Sequence, residues 1–132
     1  MAKYVYPAVF TAENDGGYSI EFPDLDGCFT QGNDTADALD AANDALCLML
    51  YHMERDKKDI PAPSDIRNIT AKEGSFVSLV SCDTIDYKKF YDNKAIKKTL
   101  SIPSWLNEMA EAEHINFSAV LQEALKQRLE IN

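Results

Sequence analysis

The sequence predicts an α+β protein in two parts: a small sheet carrying one main helix, then a strand followed by two short helices. Three observations predict it. Apolar residues alternate over residues 4–10 and 18–22, the period of a strand. They recur at three- and four-residue spacing over residues 38–53, the period of a helix. The charge also changes character near residue 92. Residues 1–92 hold 8 Lys and Arg against 17 Asp and Glu, a net −9, while residues 93–132 hold 5 against 5. The expected domains are therefore 1–92, including a connector, and 93–132.

Each element follows from local chemistry. Tyr4, Tyr6, Ala8 and Phe10 alternate with Val5, Pro7 and Val9, so both faces of the first strand are largely apolar. Pro7 lacks a backbone donor, which predicts an edge position or a bulge. Asn14-Asp15-Gly16-Gly17 tolerates positive φ and closes a hairpin onto Tyr18, Ile20 and Phe22. "PDLDG" is a turn and "CFTQG" a short third strand. Asp34 or Thr35 caps the helix. Its apolar stripe is Ala38, Leu39, Ala42, Ala45, Leu46, Met49, Leu50 and Met53, with Asp37, Asp40 and Asp44 opposite. Pro61 and Pro63 are expected to end it. "SFVSLVSCD" reads as a strand whose Phe76, Val77, Leu79 and Val80 form a mostly buried run, and "TIDYKKFYDN" as a connector with a short helix.

Composition removes whole function classes. A net charge of −9 over 132 residues does not suit a chain that coats nucleic acid along its length. No apolar run approaches the ~20 residues that span a bilayer, and the N-terminus has no signal-peptide core. Cys28, Cys47 and Cys82 form neither a disulfide framework nor a CxxC pair and read as small core hydrophobes. A cytoplasmic setting is expected. His52 and His114 have no second ligand at metal spacing and read as partly exposed helix residues. No metal or cofactor is expected.

The tail is the most informative stretch. "NKAIKKTLSIPSWL" carries Lys94, Lys97 and Lys98 and no acid. Pro103 and Ser104 open a helix with Leu106, Met109 and Ala110 on one face, where Trp105 is a packing residue. Asn116 caps a last helix with Phe117, Val120, Leu121, Ala124, Leu125 and Leu129 at helical spacing. One strand and two short helices over ~40 residues bury too little surface alone. Two copies solve this by pairing their strands in an antiparallel ribbon over a shared four-helix core. Ile96, Leu100 and Ile102 then face in, while Lys97, Thr99 and Ser101 face out. A two-stranded ribbon fits the DNA major groove, and the free N–H groups around Asn116, Phe117 and Ser118 suit a phosphate.

"KKTLSIPSWLNEMAEAEHINFSAVLQEALKQRL" thus resembles a ribbon-helix-helix DNA-binding module over residues 94–130. Lys98 departs from the pattern, since it stands at an inward position that is more often apolar. "YSIEFPDLDGCFTQGNDTADALDAANDAL" is similar to the signature of HicB-type antitoxins, which implies a partial RNase H-like fold for the first domain. The resemblance implies a HicA-type toxin partner, an RNA-cleaving protein with a catalytic His. It also implies repression of the shared operon through operator DNA, by a homodimer or a higher toxin–antitoxin oligomer. An RNA-cleaving toxin must attract phosphates, so an acidic first domain complements it. Asp24, Leu25 and Asp26 in the "PDLDG" turn are candidates for toxin contact, with simple turn chemistry as the competing reading.

Two other functions are weighed. A metal-dependent RNase H-like nuclease needs converging carboxylates, and "YVYPAVF" and "FVSLV" carry none. A ligand-responsive repressor without a toxin lacks support from any Gly-rich phosphate loop. The expected protein is therefore not an enzyme.

Overall fold

The computed structural model describes residues 3–131. The chain divides into two compact units, Met1–Lys94 and Ala95–Asn132. The first contains β1 (Lys3–Ala12), β2 (Tyr18–Glu21), β3 (Phe29–Gly32), α1 (Thr35–Arg55), a 3-10 turn (Ile66–Asn68), β4 (Ser75–Asp83) and α2 (Thr84–Tyr91). Its strands form one antiparallel sheet in the order β3-β2-β1-β4. The β1–β2 hairpin turns where Asn14–Gly17 predicts, with Gly16 at φ +91° and the Gly17 N–H donating to Asp15 Oδ1 at 3.0 Å.

Pro7 corrects one expectation. β1 is an interior strand, and its register with β4 runs through Tyr6↔Val80, Pro7↔Leu79 and Ala8↔Ser78 without a bulge. A residue in an antiparallel ladder sends its N–H and C=O to the same neighbour. The Ser81 carbonyl accepts from the Asn43 side chain, so the odd-numbered residues of β4 turn away from β1. Their β1 partners, Pro7 among them, turn toward β2. β2 ends at Glu21, opposite Val9. The missing donor of Pro7 therefore falls beyond the end of the neighbouring strand and breaks no ladder bond.

α1 covers one face of the sheet. Asp34 caps it by accepting from the Asp37 N–H at 2.8 Å. Ala38, Ala42, Leu46 and Leu50 are buried against Tyr6, Ala8, Phe10, Ile20 and Val80. Ala45, Met49 and Met53 pack at the margin, as the stripe predicts. Leu39 does not. It is exposed, near the start of the helix, where α1 reaches the edge strand β3. There the approach is so close that a Cβ on Gly32 would stand 2.4 Å from the Ala38 backbone.

The helix ends before the prolines. Asp56 caps it and Lys57 takes the left-handed conformation at φ 55°, which turns the chain ahead of Pro61. The following loop is tied back by Tyr6 Oη, which donates to the Pro61 carbonyl. At the far end of α1, Glu54 Oε2 accepts from Tyr4 Oη at 2.8 Å and Thr84 Oγ1 at 3.0 Å. Lys88 Nζ lies 3.4 Å from Glu54 Oε1. This polar cluster joins β1, α1 and α2. Burial, then the hydrogen bond to Glu54, pushes the Tyr4 hydroxyl up to about 12.

β4 corrects a second expectation. Of the run Phe76, Val77, Leu79 and Val80, only Val80 is buried. β4 is an edge strand whose residues alternate between faces. Val80 and Cys82 lie under α1, while Val77 and Leu79 turn to the other side. Phe76 is on the helix side but near the sheet corner, stacked on Phe10 at 5.1 Å and edge-on to Tyr18 at 5.8 Å. The connector after β4 is helix α2, capped by Asp83.

The second unit contains α3 (Ser104–Ala112) and α4 (Phe117–Arg128). Residues 92–103 form neither helix nor ladder in the single chain.

Leu46→Ala is expected to destabilise the first unit by about 2–5 kcal/mol, because it empties a fully buried site under α1. Asp34→Ala removes one cap and is expected to cost only ~0.5–2 kcal/mol. Urea unfolding of the purified chain checks both, and equal losses would place the core elsewhere.

Candidate functional site

The second unit carries the charge-reversed surface. Lys97, Thr99 and Ser101 are all exposed. So are Ile96 at 81%, Leu100 and Ile102, which were expected to face inward. Burial does not separate the two sets, since both are exposed and residues 92–103 pair in no ladder. The same holds for the helices. Neither α3 nor α4 contains a buried residue, and Trp105, Met109, Phe117, Val120, Leu125 and Leu129 are open to solvent. Trp105 is thus exposed and not packed in a core as expected.

The α3–α4 turn is built as the sequence predicts at one residue and differently at another. Asn116 caps α4, its Oδ1 accepting from the Ala119 N–H at 3.0 Å. The N–H groups of Phe117 and Ser118 stand in the first turn, where a helix offers no internal acceptor. Gln122 Nε2 lies 3.1 Å from Ser118 Oγ. His114 is not a helix residue. It follows α3 in the left-handed conformation at φ 55°, and the Ile115 N–H returns to the Ala110 carbonyl at 3.1 Å.

In the first unit the turn candidates separate into three roles. Leu25 is buried in the core. The Asp24 carboxylate accepts from the Ser64 N–H at 2.8 Å and the Ser64 hydroxyl at 2.5 Å, holding the loop that follows α1. Asp26 is exposed. Asp37, Asp40 and Asp44 lie along the solvent side of α1. Among the described residues no group of three His, Cys, Asp or Glu is placed to hold a metal ion.

The three cysteines are free and buried, as read from the sequence. Burial pushes the Cys28 thiol up to about 11. The Cys47 thiol beside it drives the Cys82 thiol up, with burial adding to it, and Cys47 Sγ lies 4.0 Å from Asn43 Oδ1. Neither thiol is presented as a surface nucleophile.

The sheet face opposite α1 was missed in the sequence. Val5, Pro7, Val9, Val77, Leu79 and Phe29 share it by register. Pro7 is fully buried there, and Ile69, Thr70 and Lys72 line the same groove as Val9 and Phe29, so the loop after the 3-10 turn lies against part of this face. Phe29 at 74% and Leu79 at 54% remain exposed. At the far end of β4 is a hollow of about 420 Å³ whose lining includes Lys3, Asn43, Asp44, Asp83, Asp86, Tyr87 and Tyr91. Serines at 75, 78 and 81 obscured the two-residue alternation that would have exposed Leu79.

Comparison with known proteins places these features in a family. A family model described as a HicB-like antitoxin of a bacterial toxin-antitoxin system matches residues 6–125. The antitoxin HicB of Escherichia coli (strain K12) is 36% identical over 63 residues, 48% of this chain and 46% of that protein. The match thus spans about half the length of that curated relative. A toxin–antitoxin complex from Streptococcus pneumoniae contains a chain of similar structure, with a TM-score of 0.62 and 26% identity, covering 96% of this chain and 99% of that one. A chain in the HicA3 and HicB3 toxin–antitoxin complex has a TM-score of 0.51 and 27% identity, covering 61% of this chain and 99% of that one. Among the described residues no helix is long and apolar enough to cross a membrane.

The two acids of the 24–26 turn are expected to behave differently in thermal melts. Asp24→Ala should lower stability by ~1 kcal/mol through loss of the Ser64 bonds. Asp26→Ala should change it by less than ~0.5 kcal/mol. A silent Asp24→Ala would remove its structural role.

Proposed function

The chain belongs to the family of HicB-like antitoxins of bacterial toxin-antitoxin systems, and on that premise we propose that it neutralises a HicA-type RNA-cleaving toxin with its first unit and binds operator DNA with a dimer of its second. Neutralisation by this reading is binding without chemistry. The first unit covers the toxin's basic RNA-binding surface, and complementary charge speeds the encounter. The −9 carried by residues 1–92 supports this. So does the likeness to chains found in two toxin–antitoxin complexes, one of which covers 61% of this chain, a share too large to lie within residues 95–132 alone. Of the 24–26 turn, Asp26 is the residue left open for toxin contact, since Asp24 and Leu25 are engaged within the unit. We read the first unit as a partial RNase H-like layer, a reading supported by its strand order and single covering helix.

One observation carries the reading of the second unit: it has two amphipathic helices and no buried residue. Such a unit needs a partner to gain a core. A second copy supplies one, with Ile96, Leu100 and Ile102 turned inward from a paired ribbon as in a ribbon-helix-helix module. Lys97, Thr99 and Ser101 then face the major groove, and the start of α4 at Asn116, Phe117 and Ser118 meets a phosphate. The dimer presents two first units, which accounts for a higher oligomer when toxins bind both.

Operator binding is tested by a Lys97→Ala, Thr99→Ala, Ser101→Ala triple variant in fluorescence anisotropy with the chain's own promoter DNA. Each lost base contact is worth about 1–3 kcal/mol, so the triple variant should lose at least ~tenfold in affinity while still arresting the toxin. Unchanged operator affinity would end the DNA reading.

Neutralisation is tested by co-expressing residues 1–94 with the toxin. Growth should recover without the second unit. In stopped-flow mixing the association rate should fall as salt rises, with a smaller change in dissociation. Continued RNA cleavage beside a folded, soluble first unit would place neutralisation elsewhere.

A further inference from the structure

We propose that the open edge of β4, together with the acidic hollow at its end, is where the toxin docks, by adding a strand of its own to the sheet. This rests on the neutralising role given above to the first unit. It names the surface that performs that role.

The edge is chemically incomplete. The Ser81 carbonyl points away from β1 to Asn43, and the Ser75 N–H points away to the Lys72 carbonyl. By the alternation of an antiparallel ladder, Val77 and Leu79 direct their N–H and C=O groups to the same open side. Among the described residues no strand pairs there. The Leu79 carbonyl has a 3.3 Å contact from Ser78 Oγ, at the edge of the hydrogen-bonding range. The 3-10 turn packs near β4 but makes no backbone bond to it. Exposed edges are normally blunted by charge, proline or a bulge. Ser75–Cys82 has no charged residue and no proline, and its register with β1 is unbroken. Leu79 stands beside the free groups and is itself half exposed. An added strand gains main-chain hydrogen bonds from such an edge and specificity from alternate side chains.

The hollow says what kind of strand. It continues the edge at Ser81, Cys82 and Asp83, and Asp44, Asp83 and Asp86 line it together with Tyr87 and Tyr91. Asp83 is already engaged as the cap of α2, and Lys3 is the one cation in the lining. Carboxylates with tyrosine faces suit an ammonium or a guanidinium group. A second copy of β4 cannot supply it. Residues 73–82 include Glu73 and no Lys or Arg, so self-pairing would leave the hollow unfilled and bring two acidic units together. The fitting occupant is a strand with Lys or Arg at one end, from a protein built to hold RNA.

The test uses the full chain and the toxin inactivated at its catalytic histidine, with affinity read by calorimetry. Leu79→Pro removes an outward N–H and no bond to β1. Leu79→Lys places a cation at the edge. Circular dichroism and melting temperature establish that each variant is folded, and the lysine variant serves if the proline variant is not. Both should weaken toxin binding at least ~tenfold, and Asp86→Lys should slow association. Asp40→Lys, on the solvent side of α1, should stay within ~twofold. Folded Leu79 variants that bind like the wild type overturn the edge assignment and leave the neutralising role standing. If the wild-type chain itself fails to bind the toxin, both fall.

Discussion

The seating of α1 on β1 is the contact on which the rest of the first unit depends. Ala38, Ala42, Leu46 and Leu50 fill the space over Tyr6, Ala8, Phe10 and Ile20, and they form the unit's only sizeable buried cluster among the described residues. Small residues set the spacing. Ala38 rests on Gly32 so closely that β3 has no room for a side chain there. With one helix and four strands, the chain has cover for one face of the sheet only. The loop after α1 is anchored by Asp24 to Ser64 and by Tyr6 to the carbonyl of Pro61, and its later residues Ile69, Thr70 and Lys72 line a groove with Val9 and Phe29 of the other face. The same shortage leaves β4 at the rim with an unpaired edge.

The second unit meets the shortage in a stronger form. Its helices have the apolar spacing of a core, yet neither contains a buried residue. Hydrophobic burial is roughly proportional to area removed from water, so a surface this apolar is stabilised chiefly by association. The dimer proposed above would combine two properties: association would stabilise the fold and would sort the residues of 94–102 into those inside and those left for DNA. Both surfaces proposed to bind partners thus arise from incomplete burial, one in a strand edge and one in an unpaired strand.

Much of this was legible in the residues. Alternation over 4–10 and 18–22, the turn at Asn14–Gly17 and the stripe from Ala38 to Met53 are local signals, and each forms where expected. Asn116 was legible as a cap because a side chain bonding two or three residues ahead needs no tertiary information. Pro7 was misjudged, because a missing donor matters only where a neighbour exists, and the length of β2 is not written beside Pro7. The burial of Leu79 was misjudged because an apolar run does not say whether its strand is interior or at the rim.

The sequence by itself determined the period of each element, its caps and turns, the charge break near residue 92 and the family likeness. These follow from forces that act within a few residues, namely backbone sterics, side-chain capping and amphipathic spacing. The tertiary structure alone decided that β4 lies beside β1, that Val77 and Leu79 face an open edge, and that Asp44, Asp83 and Asp86 meet two tyrosines at its end. Those relations join residues far apart in sequence, such as Lys3 with Asp83 and Asp44 with Asp86, through strand order and helix seating. No local pattern encodes them, because they depend on which surfaces remain after the best burial has been made.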